Sequence, residues 1–225
     1  IVNKLGYRIG NIIDLRDATK AEIESTFGSE KSHKGRLFDY VRARESDVIV
    51  FYSGHGVPGM SDQRGYLLSV DADPNRAELT GYPVDTLLTN LSKIPAKSMT
   101  VFIDACFSGN TPKGMLVGSM SGLTVEIRQP KKTSKGMVVL TASEGDQVAS
   151  WDTNAKHGLF TKYLLDALNG EADRQPKTGN NDGKVTLGEV KAYLDSEMTY
   201  QARRRFSRDQ HATVSGDLKT VLSAY

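Results

Sequence analysis

The chain holds one cysteine and four histidines, and one residue of each type stands where covalent chemistry is done. Cys106 ends the run VFIDAC, in which apolar residues lead to an acid and a thiol before Ser108-Gly109 breaks the pattern. His55 lies in YSGHG, at the end of the apolar run DVIVFYS. A thiol is mostly protonated near neutral pH, so nucleophilic use requires a base or a positive charge close by. An imidazole meets that need and can afterwards protonate a leaving amine. Glycines on both sides of His55, and Gly109 after Cys106, keep backbone amides exposed where an oxyanion would form. A cysteine by itself is ordinarily a small buried hydrophobe; the company of His55 is what points to catalysis. His33, His157 and His211 have no such context and read as surface or capping residues.

Something must bring the two motifs together. Four β-branched runs bounded by Gly, Asp or Ser read as strands buried on both faces: 7–14, 47–53, 99–105 and 136–143, with Asp14, Ser53, Asp104 and Ser143 at their C-terminal ends. Helical patterns separate them. Thr19 and Glu22 form a capping box ahead of Ile23 and Phe27, with Gly28 as the stop. Val84, Leu87, Leu88 and Leu91 share one helix face. LFTKYLLDAL (159–168) has the same period and ends at Asn169-Gly170; Thr186 and Glu189 form a second capping box before a long final helix, and DLKTVLSA holds a last short strand. Strands alternating with helices predict an α/β fold with a largely parallel sheet. In such a sheet the residues just past the strand ends share one edge, so neighbouring strands would set His55 beside Cys106.

Length and composition bound the reading. At 225 residues, with 38% hydrophobic and 25% charged residues, the chain reads as one globular domain, 1–225, with a sizeable core. A net charge of +2 gives no overall field for nucleic acid or an anionic membrane. The basic cluster ARRRFSRD (202–209) reads as a solvated helix end. No apolar run approaches the roughly 18 residues needed to span a bilayer, and no signal peptide is visible. A single cysteine excludes an internal disulfide framework. The compartment is not fixed by redox; a cytoplasmic one is the expectation. GMSDQRG (59–65) and the long stretch 110–136 read as loops, and a loop as long as the second usually serves function.

YSGHG followed by DACFSG, each after an apolar strand, resembles the caspase-like cysteine proteases, and within them the metacaspase and bacterial caspase-homologue branch. In that family the histidine lies about 50 residues upstream of the cysteine, as here. The similarity runs from DLRDAT through TASEGDQVAS and GLFTKYLL to RDQH, nearly the whole chain. It implies an open, mostly parallel sheet with helices on both faces and endopeptidase action on protein or peptide substrates. The implied dyad is Cys106 and His55, with the amides of Gly56 and Cys106 as the oxyanion hole. The alternative is a catalytically silent caspase-like module that binds partners; an intact Cys106 and His55 count against it.

Further expectations rest on the same resemblance. Members that cut after Asp carry Gln two residues before the cysteine; here that place is Asp104, and a carboxylate in the pocket prefers a cation. The implied P1 residue is therefore Arg or Lys, with Asp146 as a second wall of the pocket. Metacaspases often need calcium, which makes Asp62, Asp71 and Asp73 candidate ligands, although their spacing departs from the family pattern. NNDGKVTLGE resembles a calcium loop only imperfectly: its first ligand position falls on Thr178, and the capping box already accounts for Glu189, so a turn and helix start is the better reading. The loop 110–136 lies where caspases are cut into two subunits, and Arg128, Lys131, Lys132 and Lys135 are candidate sites of self-cleavage. The family's first strand and helix precede the segment that 7–14 matches. An upstream segment of the same precursor is thus expected to complete the sheet beside 7–14 and 99–105.

Overall fold

The computed structural model describes residues 5–107, 110–111, 114–115, 136–143, 151–152 and 157–225. The elements that matter for the site are, in chain order, α1 (Lys20–Phe27), β1 (Asp47–Ser53), β2 (Gly56–Pro58), β3 (Gly65–Leu67), β4 (Tyr82–Pro83), α2 (Val84–Ser92), β5 (Ser98–Asp104), β6 (Met137–Thr141), α3 (Leu159–Asp166), β7 (Lys184–Thr186), α4 (Leu187–Tyr193), α5 (Thr199–Phe206), β8 (Thr213–Ser215) and β9 (Val221–Ala224).

β1, β5, β6 and β8 lie side by side in that order. β1 with β5 and β5 with β6 are parallel, while β8 runs antiparallel to β6. Alternation along the strands divides the core in two. Val48, Val50, Met99, Val101, Ile103 and Val139 face Ile23 of α1 and Leu87, Leu88 and Leu91 of α2. Phe102, Val138 and Leu140 face Leu159, Phe160 and Leu164 of α3 and Val190 of α4. Each such side chain, fully buried, contributes roughly 1.5–3 kcal/mol relative to exposure. The expected mostly parallel sheet with helices on both faces is thus present.

The local signals act as their chemistry requires. Thr19 accepts the Glu22 amide, and Glu22 accepts the Thr19 amide at 2.8 Å. Thr186 and Glu189 repeat the arrangement at the start of α4. A π-helical stretch, Leu194–Met198, joins α4 to α5, so the long final helix forms as expected. Gly170 adopts φ 105° at the helix stop, and its Cα packs on the Tyr225 ring, where a Cβ would come within 2.6 Å of a ring carbon. β9 forms in DLKTVLSA as expected but pairs with β7, outside the main sheet.

The expected strand at 7–14 does not form. Ile9–Asn11 is a 3₁₀ turn, closed by the Asn11 amide on Arg8 O at 2.9 Å, and Asp14 makes an exposed ion pair with Arg16. Residues 8–12 are exposed, with no strand alongside them among the described residues. A lone extended segment leaves its backbone groups to water, so β-branched composition without a neighbouring ladder does not make a strand. The expected vacancy beside 99–105 is also corrected: β5 has β1 on one side and β6 on the other. Among the described residues, the outer edge of β1 is unpaired.

Candidate active site

β1 and β5 pair in register from Asp47 with Ser98 to Ser53 with Asp104, and the Gly54 amide donates to Asp104 O at 3.1 Å one step further. The two strands finish together. His55 and Cys106, each two residues past its strand, therefore leave the sheet at the same edge. The chains touch there: a Cβ on Gly56 would lie 2.8 Å from the Cys106 carbonyl oxygen and 2.6 Å from a ring carbon of Phe107. His55 is exposed and Cys106 is half-buried, so the pair sits at the surface. The turn carrying His55 is pinned from beneath. Its carbonyl accepts the Leu68 amide at 2.9 Å and the Tyr52 hydroxyl at 2.8 Å.

Asp104 is buried, with 6% of its surface exposed. By alternation it faces the α3 side of the sheet. Its carboxylate accepts the Thr161 hydroxyl and packs against the Cα of Gly158, the N-cap of α3. A Cβ at Gly158 would lie 2.7 Å from an Asp104 oxygen, so a larger residue there would displace the carboxylate. The positive end of α3, which has no side-chain cap of its own, favours a negative charge at this position. Asp146 and the candidate self-cleavage residues Arg128, Lys131, Lys132 and Lys135 lie outside the described residues.

A comparison with family models matches the Caspase domain over residues 2–216. The chain belongs to the caspase family. Among solved structures, caspase-1 from Spodoptera frugiperda is similar at 15% identity with a TM-score of 0.44; the match covers 77% of this chain and 60% of that one. A comparison with curated proteins gave no match. The Caspase-domain match places the chain in a cysteine-peptidase family.

The candidate calcium ligands of this caspase domain are each taken up separately. Asp62 accepts the Tyr66 hydroxyl at 2.5 Å and the Arg64 amide at 3.0 Å. Asp71 accepts the Lys20 amide, and Asp73 caps the turn at Asn75. Among the described residues, no group of three His, Cys, Asp or Glu side chains could hold a metal ion. No described helix is long and apolar enough to cross a membrane.

Several residues of this caspase domain make contacts that the sequence does not show. Asp173, 1% exposed, accepts the amides of Asn180, Asn181, Asp182 and Gly183 and the Tyr225 hydroxyl. The NNDG loop thus turns donors inward, the reverse of a calcium loop, which accords with the turn and helix start read from the sequence. Burial pushes the Asp173 carboxyl pKa up, but the Gly183 amide, the Tyr225 hydroxyl and the neighbouring amides outweigh it and hold it below the usual value. Gln210 of the RDQH stretch is fully buried and donates to Ala142 O at 3.0 Å, tying the end of β6 to the C-terminal segment. Tyr52, Gly158 and Thr161 lie within the YSGHG and GLFTKYLL stretches, but their contacts are not visible in those motifs.

Proposed function

We propose that this caspase domain is a cysteine endopeptidase that cleaves protein substrates after Arg or Lys, with Cys106 as nucleophile and His55 as general acid and base. The observation that carries the reading is the shared exit of β1 and β5, which puts both motifs at one sheet edge, with Gly56 against the Cys106 carbonyl. Cys106 gives its thiol proton to His55, and the thiolate attacks the scissile carbonyl carbon and forms a C–S bond. The resulting oxyanion takes hydrogen bonds from the amides of Gly56 and Cys106. The C–N bond breaks as His55 protonates the leaving amine, leaving a thioester on Cys106. Water, its proton taken by His55, then hydrolyses the thioester. Asp104, buried at the end of the nucleophile strand, supplies the negative charge that a P1 cation meets.

The test is turnover of a peptide library varied at P1, compared among wild type, Cys106→Ala and His55→Ala, with a thiol-directed active-site label alongside. Each variant should lose at least about a thousandfold in kcat/KM while remaining folded. Cleavage that persists in Cys106→Ala would end the protease reading. A wild-type chain that takes up no label and cleaves nothing would instead favour the silent binding module.

A further inference from the structure

The turn between β1 and β2 is held by a tyrosine that no acid or base step requires. Tyr52, the penultimate residue of β1, places its hydroxyl 2.8 Å from His55 O and 3.0 Å from Leu68 O, so its single proton serves two carbonyls from different segments. The His55 carbonyl receives the Leu68 amide as well, at 2.9 Å. The phenol is thus the underside of the turn that presents the imidazole. Gly54 lies directly over it: a Cβ there would come 2.7 Å from the hydroxyl oxygen and 3.0 Å from the ring carbon that bears it. Gly54 does not adopt a positive φ, so close approach to Tyr52 is the demand placed on this position. Burial raises the Tyr52 pKa far above the usual tyrosine value, with the Leu68 backbone opposing, so the hydroxyl remains a donor at every pH an enzyme of this kind meets.

We infer that Tyr52 is a positioning residue for His55, with Gly54 as its spacer, and that the Tyr52 hydroxyl sets the angle at which the imidazole meets Cys106. A hydrophobe such as Phe would fill the same core space but take the hydroxyl from both carbonyls, leaving His55 O with the Leu68 amide alone. Small displacements of a catalytic group are costly in rate even when binding is unaffected. The inference rests on the Cys106–His55 reading proposed above, so its test carries measurements that do not depend on peptide turnover.

Three variants, Tyr52→Phe, Gly54→Ala and the double variant, are compared with wild type by kcat and KM on a cleavable peptide. Iodoacetamide alkylation of Cys106 as a function of pH and thermal melting are measured in parallel, with His55→Ala as the alkylation reference. Tyr52→Phe should lower kcat about tenfold with KM within about twofold. The Cys106 alkylation profile should also move toward that of His55→Ala. Gly54→Ala should melt lower than wild type, and adding Tyr52→Phe should recover part of that loss, because the added methyl no longer meets the hydroxyl. Wild-type kcat and an unchanged alkylation profile in Tyr52→Phe would overturn the inference, as would strictly additive melting losses in the double variant. If wild type itself cleaves no peptide, the protease reading fails, and an unshifted alkylation profile in Tyr52→Phe then overturns the positioning role independently.

Discussion

The Cα of Gly56 lies against the main-chain carbonyl of Cys106, so close that a methyl group on it would stand 2.8 Å from that oxygen. The contact joins the turns that carry His55 and Cys106 by backbone, one residue past His55. Gly56→Ala would also press on the Phe107 ring at 2.6 Å, with neither neighbour able to yield without moving the nucleophile turn. The expected loss is about 1–3 kcal/mol of stability by overpacking, with kcat/KM down at least about tenfold. Denaturant unfolding and peptide kinetics on the same preparation check both. A variant with wild-type kinetics would show that the two turns are not so tightly coupled.

Asp104 should decide P1 preference. An ion pair in a partly dry pocket can supply discrimination on the order of a hundredfold in rate. Asp104→Asn keeps the shape that Thr161 and Gly158 hold and removes the charge. Arg and Lys peptides should lose that factor, while a neutral P1 peptide loses little. Unchanged Arg cleavage in the variant, or wild-type preference for an acidic P1, would contradict the assignment.

Acid should unfold this chain partly through Asp173. Its folded pKa lies below the unfolded value, so its contribution is present above about pH 4 and is lost as pH falls further. Asp173→Ala removes the carboxylate that accepts four amides and the Tyr225 hydroxyl, of which only the Asn181 and Asp182 amides have a second acceptor, and melting at pH 7 should drop by about 5 °C or more. The variant's stability should also vary less with pH as pH falls below about 4. Identical acid profiles for variant and wild type would exclude this carboxylate as the source.

Self-cleavage at Arg128, Lys131, Lys132 or Lys135, which lie between β5 and β6 in the sequence, follows from the proposed preference for a basic P1. Intact mass spectrometry of wild type beside Cys106→Ala reads it directly. Fragments ending at those residues in wild type alone are the expected result; equal intact masses would rule it out.

Much of this site could be read from the sequence because its signals are local. The strand exits at DVIVFYS and VFIDA, the glycines around His55 and the two capping boxes depend on neighbours within a few residues, where spacing and side-chain chemistry suffice. The caspase family followed from two short motifs in order. The strand expected at 7–14 shows the limit of that reasoning. YRIGNIID has a strand's composition, but a strand is a relation between two segments, and among the described residues no ladder lies beside it. The short strand β8 shows the converse, with TVS extended because it pairs with β6.

What only the tertiary structure decided are the contacts between residues far apart in the chain. Thr161 reaches Asp104 across 57 positions, Gln210 reaches Ala142 across 68, and the four amides of the NNDG loop converge on Asp173. Thr161 lies within GLFTKYLL and Asp173 just past the helix stop at Asn169-Gly170, and neither position shows its distant partner in the sequence. Their roles arise from burial: once water is excluded, each polar group must find a partner within hydrogen-bond reach, and folding alone determines which residue is near enough. The sequence by itself determined which strands end in reactive side chains; the packed sheet decided that the ends of β1 and β5 coincide, because in-register parallel pairing aligns Ser53 with Asp104 and so carries His55 and Cys106 out at the same level.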